Sequence, residues 1–251
     1  MDPPFLTIVT PTTGDKHHLQ KCIKSVQNQT HKEGVVHLIV VDGKKEFGQQ
    51  AQEAIDELDT QAVTTRVLIL PENTGKDNWY GHRIYGASTF LVNTPWIQFL
   101  DQDNSIEPGH VSSILDTIST DDELNFCWCR RNIVDQDGNL RFQDQCESLG
   151  TGGSIWKGLQ NGAPLNFLDS NCWIWKRDFL MKFVNIWYNK GYQYPPTDPD
   201  RMFSYYLLND LGQKIPNKNK TTGQFTLNYM LDDPTRIAYF EEGHQFMKKL
   251  S

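Results

Sequence analysis

Short apolar segments alternate with helical segments over the first hundred residues, and this alternation restricts the fold more than any other feature of the chain. The apolar segments, each of strand length, are Phe5–Thr10, Val35–Val41, Arg66–Leu70 and Pro95–Leu100. Helical spacing of apolar residues predicts helices between them, at residues up to about 29, at about 49–58 and at about 81–92. The resulting β-α-β-α-β-α-β order predicts a parallel sheet with right-handed crossovers.

Small or polar residues follow each of these four strands. They are Thr10-Pro11-Thr12, Asp42-Gly43, Asn73-Thr74-Gly75 and Asp101-Gln102-Asp103. The carboxyl ends of parallel strands meet at one edge of a sheet, where ligands bind in open α/β folds. The sequence therefore predicts that the four tips form a single crevice.

Asp101 and Asp103 carry the most specific chemistry at this predicted crevice. Side chains two residues apart in an extended segment point to the same face, so both carboxylates can address one target. Two close carboxylates repel each other unless a cation, a proton or an array of donors compensates. A hard divalent cation that also holds phosphate oxygens is the simplest such partner.

The bulk composition excludes several classes of protein. The net charge is −7, and no basic stripe marks a nucleic-acid binder. No apolar run approaches the ~20 residues that span a bilayer, and no signal peptide is visible. The five cysteines are odd in number and form no Cys-x-x-Cys pair, which is typical of reduced thiols. We therefore expect a cytoplasmic protein that is soluble or peripheral to a membrane.

The second half of the chain gives a weaker pattern. It predicts a helix at 108–118, a strand at 124–130, a hairpin tip at 134–140, a strand within 166–176, helices at 179–188 and 201–211, and an exposed loop at 213–224. No linker separates the halves. We expect one domain over residues 1–251, whose second half, from about residue 106, builds on the first.

The series of motifs in the first half resembles the inverting nucleotide-sugar glycosyltransferases of family 2. The stretches that carry the resemblance are Thr7–Thr12, Ile23–Thr30, Leu38–Gly43, Asn73–Gly75, Gly81–Arg83 and Phe99–Asp103. The resemblance implies the GT-A fold, which is Rossmann-like: a mostly parallel central sheet flanked by helices, with a smaller acceptor-side subregion. It also implies a nucleotide-sugar-binding half at about residues 1–105 and a half for the acceptor and the catalytic base at about residues 106–251. A single Asp-x-Asp is a weak signal, whereas the whole series in the family's order is a strong one.

The resemblance also implies roles for individual residues. The residues implied in nucleotide-sugar binding are Thr10, Pro11, Thr12, Asp42, Asn73, Arg83, Asp101 and Gln102. The residues implied in holding Mn²⁺ or Mg²⁺ are Asp103, Asp101 and a histidine late in the chain, His244. The metal would neutralise the diphosphate leaving group.

In such enzymes a carboxylate that opens a later helix serves as the base. Here Asp198-Pro199-Asp200 occupies that place, with Asp198 as the first choice and Asp200 as the reserve. An N-cap followed by proline is the structural alternative for Asp198. The sequence departs from the family where Gly43 follows Asp42 and where Thr197 precedes Asp198, positions at which the family commonly has acidic residues.

The implied activity is the metal-dependent transfer of a sugar, with inversion, from a UDP-sugar or another nucleotide diphosphate donor to a glycan or other hydroxyl acceptor. Two other classes remain open. One is a catalytically inactive nucleotide- or sugar-binding module. The other is a phosphatase of the haloacid-dehalogenase type, although in those the Asp-x-Asp ends the first strand rather than the fourth. Four aromatic residues could stack on sugars or could pack in the core: Trp79, Tyr80, Trp173 and Trp175.

Overall fold

A central nine-stranded sheet organises the described part of the chain, which in this computed structural model comprises residues 3–43, 45–58, 62–77, 79–144, 167–188, 199–208 and 215–248. The strands are β1 (Leu6–Thr12), β2 (Val35–Val41), β3 (Thr64–Ile69), β4 (Trp96–Phe99), β5 (Ser105–Ile106), β6 (Phe126–Val134), β7 (Leu140–Gln143), β8 (Trp173–Lys176) and β9 (Asn219–Met230). The helices are α1 (Lys16–Gln27), α2 (Lys45–Asp56), α3 (His82–Leu91), α4 (His110–Ile118), α5 (Arg177–Leu180), α6 (Pro199–Leu208) and α7 (Pro234–Lys248). Two 3-10 segments, Ser170–Cys172 and Met181–Tyr188, precede β8 and follow α5.

The first half of the sheet confirms the predicted parallel arrangement. Its strands lie in the order β3-β2-β1-β4, and every neighbouring pair is parallel. The Asp-x-Asp segment follows β4, the fourth strand along the chain, as the sequence predicts. This position differs from the first-strand position of the motif in haloacid-dehalogenase phosphatases.

The second half extends the same sheet with strands of both directions. β8 lies between β4 and β6 and is antiparallel to both, whereas β9 is parallel to β6 and antiparallel to β5. β6 and β7 form the predicted hairpin, whose turn is closed by a hydrogen bond from the Asp135 amide to the Asn139 carbonyl. Strands β1–β4, β6 and β9 therefore run in one direction, and the mostly parallel α/β architecture is confirmed.

Several predicted elements in the second half were wrong in type or length. The predicted loop at 213–224 contains the start of β9, where Asn219 pairs with Phe126 of β6. The predicted helix at 179–188 is instead the end of α5 followed by a 3-10 segment. The strand predicted within 166–176 is confined to β8, because a 3-10 turn capped by Asp169 precedes it. Pairing partners far away in sequence decide these elements, so local composition did not reveal them.

Different helices pack against the two faces of β2, so the first half of the chain forms a layer of helices on each side of the sheet. Ile39 and Val41 pack with apolar side chains of α1 and α2, whereas Val40 packs with Ile84 and Tyr85 of α3. Alternate residues of a strand point to opposite faces, so a continuous apolar run can serve both layers. The described residues contain no helix with the length and apolar character needed to cross a bilayer.

His37 is a fully buried imidazole in β2, within this otherwise apolar layer. Its Nε2 lies 2.9 Å from Thr10 Oγ1, and its Nδ1 has no hydrogen-bond partner among the described residues. Burial lowers the pKa of His37 to about 3, because the charged form would lose its hydration. The folded protein therefore holds this ring neutral at pH values where an unfolded chain would protonate it.

Gly43 forms the tip that follows β2 and has a φ of +85°. A Cβ at this position would lie 2.3 Å from the Asn73 backbone nitrogen and 2.7 Å from the Glu72 carbonyl carbon. A side chain would thus combine a strained backbone with a backbone clash. This close approach gives a physical reason why the second acidic residue of the family pattern is missing here.

We predict that His37→Gln reduces the loss of stability on acidification. Below about pH 6.5 the unfolded chain binds a proton that folded His37 does not, so the free energy of unfolding falls as the pH drops from about 6.5 toward 3. Between pH 6.5 and 5 the variant should lose about 1–2 kcal/mol less than wild type in urea titrations. The exposed His17→Gln serves as the control, and equal pH dependence of wild type and His37→Gln would contradict the prediction.

We predict that Gly43→Ala lowers the free energy of unfolding by about 3 kcal/mol. Gly138→Ala is the matched control, because Gly138 also has a positive φ, of +87°, but no atom would lie within 4 Å of its Cβ. The control variant should lose only about 1 kcal/mol, from backbone strain alone. Equal losses in the two variants, measured by denaturant unfolding, would show that the Gly43–Asn73 approach is unimportant.

Candidate active site

A cleft of about 320 Å³ lies at the carboxyl ends of β1, β2 and β4, where the sequence predicts a crevice. The strand tips contribute Pro11, Thr12, Thr13, Asp42, Asp101, Gln102 and Asp103. The segment that leads into α3 contributes Tyr80, Gly81, His82 and Ile84. The structure therefore brings together five of the predicted nucleotide-binding residues and both carboxylates of the Asp-x-Asp segment.

Asp42 joins the β2 tip to the tip that follows β3. Its buried carboxylate accepts hydrogen bonds from the Thr74 amide (2.6 Å), the Thr74 hydroxyl (2.8 Å) and the Gly75 amide (2.8 Å). A carboxylate has about four acceptor positions, so one remains for a donor on a ligand in the cleft. Asp42 thus shapes the loop and also faces the cleft.

Gln102 joins the acidic segment, Asp101-Gln102-Asp103, to the tip of β1. The Thr12 hydroxyl donates to Gln102 Oε1 at 2.5 Å, and Gln102 Nε2 donates to the Thr13 hydroxyl at 3.4 Å. The Thr12 oxygen also accepts the Gly14 amide at 2.9 Å. These contacts fix the tips of β1 and β4 relative to each other. They can form because the two strands are parallel neighbours in the sheet.

Three other predicted nucleotide-binding residues lie outside the lining of this cleft. The Thr10 side chain is fully buried and contacts His37 and Cys22. The side-chain amide of Asn73 donates, through Nδ2, to the backbone carbonyl of Asp42 at 3.1 Å. Arg83 lies over the Trp79 ring, 4.3 Å from its centroid, and donates to the Thr74 carbonyl at 3.1 Å. In this structure Asn73 and Arg83 therefore brace the strand tips beside the cleft, while Thr10 belongs to the core.

Asp101 is held by two neutral donors. The Tyr85 hydroxyl donates to Asp101 Oδ1, and Asn171 Nδ2 donates to Asp101 Oδ2 at 2.9 Å. Burial raises the pKa of the Asp101 carboxyl and the charge of Asp169 adds to the rise, while the hydrogen bonds from Asn171 and Tyr85 oppose it. Sequence reasoning singled out neither Tyr85 nor Asn171. For Asn171 a signal was present, because the polar residues Asp169-Ser170-Asn171 interrupt a predicted apolar strand.

Asp103 lacks such donors: among the described residues, no other side chain hydrogen-bonds its carboxylate. Desolvation by the walls of the cleft, followed by the nearby charge of Asp101, raises the pKa of Asp103 to about 7, although the side chain remains open to solvent. No group of three or more histidine, cysteine, aspartate or glutamate side chains that could hold a metal occurs within the residues described. Two neighbouring carboxylates, Asp101 half-buried and Asp103 exposed to the cleft, nevertheless suit a hard divalent cation whose remaining ligands come from phosphate and water.

A buried ion-pair cluster lies behind Asp101. Arg131 of β6 is 1% exposed, and its guanidinium donates to Asp144 (2.8 Å) and to Asp169 (2.7 Å). The Tyr229 ring lies 4.5 Å from this guanidinium. Sequence reasoning missed this cluster, because nothing local distinguishes Arg131 from an exposed strand arginine.

The aromatic residues divide between core and cleft. Trp173 and Trp175 are buried and stack on each other with centroids 4.6 Å apart, so of the two alternatives for these residues the structure shows core packing. Trp79 is covered by Arg83. Tyr80 is 70% exposed beside the cleft and has an unusual φ of +50°, so it alone of the four presents an open ring face there.

The predicted catalytic base and the third metal ligand are not placed by the structure. Asp198 lies outside the described residues, immediately before α6 begins at Pro199. Asp200 falls in the first turn of α6, and His244 falls within α7, but the described side chains include neither.

Comparisons with known proteins agree with this geometry. The sequence profile described as "Glycosyl transferase family 2" matches residues 7–183. No curated protein sequence matches the chain. Residues 1–349 of S. aureus TarS in complex with UDP-GlcNAc have a similar structure, with a TM-score of 0.61 at 12% identity over 93% of this chain and 60% of that chain. The chain thus spans about three-fifths of that structure's length.

A second similar structure is the mannosyltransferase PcManGT from Pyrobaculum calidifontis in complex with GDP-Man and Mn²⁺. It has a TM-score of 0.57 at 9% identity, over 100% of this chain and 65% of that chain. At these identities the likeness shows a shared fold. The profile match covers more than half of the sequence, and the chain therefore belongs to glycosyl transferase family 2.

Proposed function

We propose that this glycosyltransferase moves a sugar, with inversion, from a UDP-sugar to a hydroxyl of a glycan or other acceptor, and that it requires Mn²⁺ or Mg²⁺. The observation that carries the proposal is the convergence of Asp42, Asp101 and Asp103 on one cleft formed by neighbouring strand tips. This arrangement offers an acceptor for a nucleobase at one end and paired carboxylates for a metal-bound diphosphate at the other.

Asp42 serves as the contact to the nucleobase. Its carboxylate is held by Thr74 and Gly75 and keeps an acceptor position for an N–H group, such as the one on uracil. Pro11, Gly81 and Tyr80 provide apolar and aromatic surface in the same cleft, against which a planar base packs. The similar structure of TarS is a complex with UDP-GlcNAc, which supports a uridine donor.

Asp103, with Asp101 beside it and His244 as a further ligand, holds the divalent cation. When bound, the metal supplies Lewis-acid stabilisation of the departing diphosphate. Asp103 meets the requirement for direct contact best, because it lines the cleft, is exposed there and has no donor from another described side chain. The GDP-Man complex of the mannosyltransferase contains Mn²⁺, which agrees with a metal role for this pair.

Asp198 acts as the base that accepts the proton of the attacking hydroxyl, with Asp200 as the reserve. Inversion requires attack on the face of the sugar opposite the leaving diphosphate, so the base and the metal must lie on different sides of the sugar. A carboxylate at the start of α6, about a hundred residues from the acidic segment, is a separate structural element that suits this division.

We predict that Asp103→Ala removes Mn²⁺-dependent binding of UDP. Loss of a charged metal ligand should weaken UDP binding in the presence of Mn²⁺ by at least about tenfold, measured by calorimetry. Asp116→Ala, an exposed aspartate of α4, is the control. Unaltered UDP affinity of Asp103→Ala in the presence of Mn²⁺ would count against the metal role.

The donor itself is identified by a thermal-shift panel of UDP-, GDP- and dTDP-sugars, measured with and without Mn²⁺.

We predict that Asp198→Asn spares donor binding but reduces transfer by about 10²-fold or more, because general-base catalysis is lost. Donor affinity and product formation are measured separately on the same preparation. Asp178→Asn, at the start of α5 and exposed, is the matched control. Normal transfer by Asp198→Asn would assign the base to Asp200 or to another group.

A further inference from the structure

Asn171 lies at the centre of a buried polar network that runs behind the acidic segment. Its Oδ1 accepts the Asp101 amide at 2.6 Å, while its Nδ2 donates to Asp101 Oδ2 at 2.9 Å and to Asp169 Oδ1 at 3.0 Å. Asn171 is 1% exposed. One amide side chain therefore contacts both the backbone and the carboxylate of Asp101.

Two further buried arms hold Asn171 in place. In the first, Asp169 accepts the Asn171 amide at 2.9 Å and is itself paired with Arg131 at 2.7 Å. In the second, Gln98 donates to the Asn171 carbonyl at 3.2 Å, and His110 Nε2 lies 2.9 Å from Gln98 Oε1. The ring of His110 also contacts the Thr226 hydroxyl of β9 through Nδ1, at 2.7 Å.

The network reaches β4, β6, β9 and α4, and it converges on one carboxylate. Burying this many polar groups is unfavourable unless each is hydrogen-bonded, and an apolar core would have been the simpler solution for stability. A satisfied network of this kind fixes a single side-chain arrangement. Its convergence on Asp101 indicates that the arrangement being fixed is that of the cleft.

Tyr85 completes the network from the opposite side. Its fully buried ring stacks on Phe99 at 4.3 Å between centroids, and its hydroxyl donates to Asp101 Oδ1. Both oxygens of Asp101 are thus held by side chains whose own positions are set by packing. Asp101 therefore does not need to find its orientation when a ligand arrives.

We propose that Tyr85 and Asn171 are positioning residues that hold Asp101 in the orientation needed for metal-assisted binding of the diphosphate. The inference rests on the proposed function. In this arrangement, buried side chains beneath the cleft hold Asp101 in one orientation. Asp103 is the carboxylate that is free to move onto the cation. Binding of the nucleobase at Asp42 does not involve either positioning residue.

The test uses Tyr85→Phe, which removes only the hydroxyl and keeps the ring stack on Phe99. UDP affinity is measured by calorimetry with and without Mn²⁺, so that each protein gives a ratio of the two affinities. We expect this ratio to fall about tenfold in Tyr85→Phe, with the metal-free affinity unchanged. Tyr188→Phe is the matched control, since Tyr188 also packs against α3, at Gly86, but is 44% exposed and has no hydrogen bond to Asp101, whose side-chain donors are Tyr85 and Asn171.

Asn171→Ala provides a second variant that removes both contacts to Asp101, and its ratio should also fall about tenfold. A purely structural role would lower the melting temperature of either variant and leave the ratio of the folded protein at the wild-type value. In an Asp101→Asn background, Tyr85→Phe should change the ratio no further, because its effect acts through the Asp101 carboxylate.

The outcomes separate the two proposals. If wild type binds UDP more tightly with Mn²⁺ but neither Tyr85→Phe nor Asn171→Ala changes the ratio, the positioning role is overturned and the proposed function stands. If wild type shows no Mn²⁺-dependent binding of any nucleotide diphosphate, the proposed function is overturned and the inference with it.

Discussion

The closeness of two carboxylates, Asp101 and Asp103, at the end of β4 is the constraint on which the rest of the site depends. Desolvation disfavours the charge on both Asp101 and Asp103, and the charge of Asp101 further disfavours that of Asp103. The protein compensates Asp101 with neutral donors from Tyr85 and Asn171. It leaves Asp103 without an equivalent side-chain donor among the described residues, and the proposed cation would compensate the remaining negative charge.

The same constraint explains why much of the interior around the cleft is polar. Arg131 is the buried cation that stabilises Asp169 and Asp144, and Asp169 in turn orients Asn171. Buried ion pairs contribute little net stability once desolvation is counted, but breaking one leaves an uncompensated charge. This cluster therefore contributes a fixed geometry more than it contributes stability.

The sequence predicted the first half of the fold well because that half is built from local signals. Val35–Val41 was placed correctly to the residue, since an apolar run of strand length bounded by turn residues has few other solutions. The convergence of Asp42 and the Asp-x-Asp segment followed from the rule on strand ends. The reason for glycine at position 43 could not be predicted from the sequence, because it lies in the close approach of the backbone at Glu72 and Asn73 and in the positive φ of the turn.

The second half could not be predicted in the same way, because partners far away in sequence determine it. β9 is largely polar at its start and becomes a strand through pairing with β6, where Asn219 lies opposite Phe126. Asn171 and Arg131 gain their importance from burial against Asp101 and Asp169, which no periodicity reveals. Asp198, His244 and the roles inferred for them remain predictions from the family resemblance.

The position of β9 has a consequence for how the protein is made. β5, which directly follows the acidic segment, pairs with β9, and the Asn104 side chain accepts the amide of Met230 at 3.1 Å. β1–β4 can pair while later residues are still being added at the ribosome. The residues that follow the acidic segment, by contrast, gain their hydrogen bond to Met230 only after Met230 has left the ribosome. A nascent chain therefore forms its parallel sheet well before its ligand site is complete.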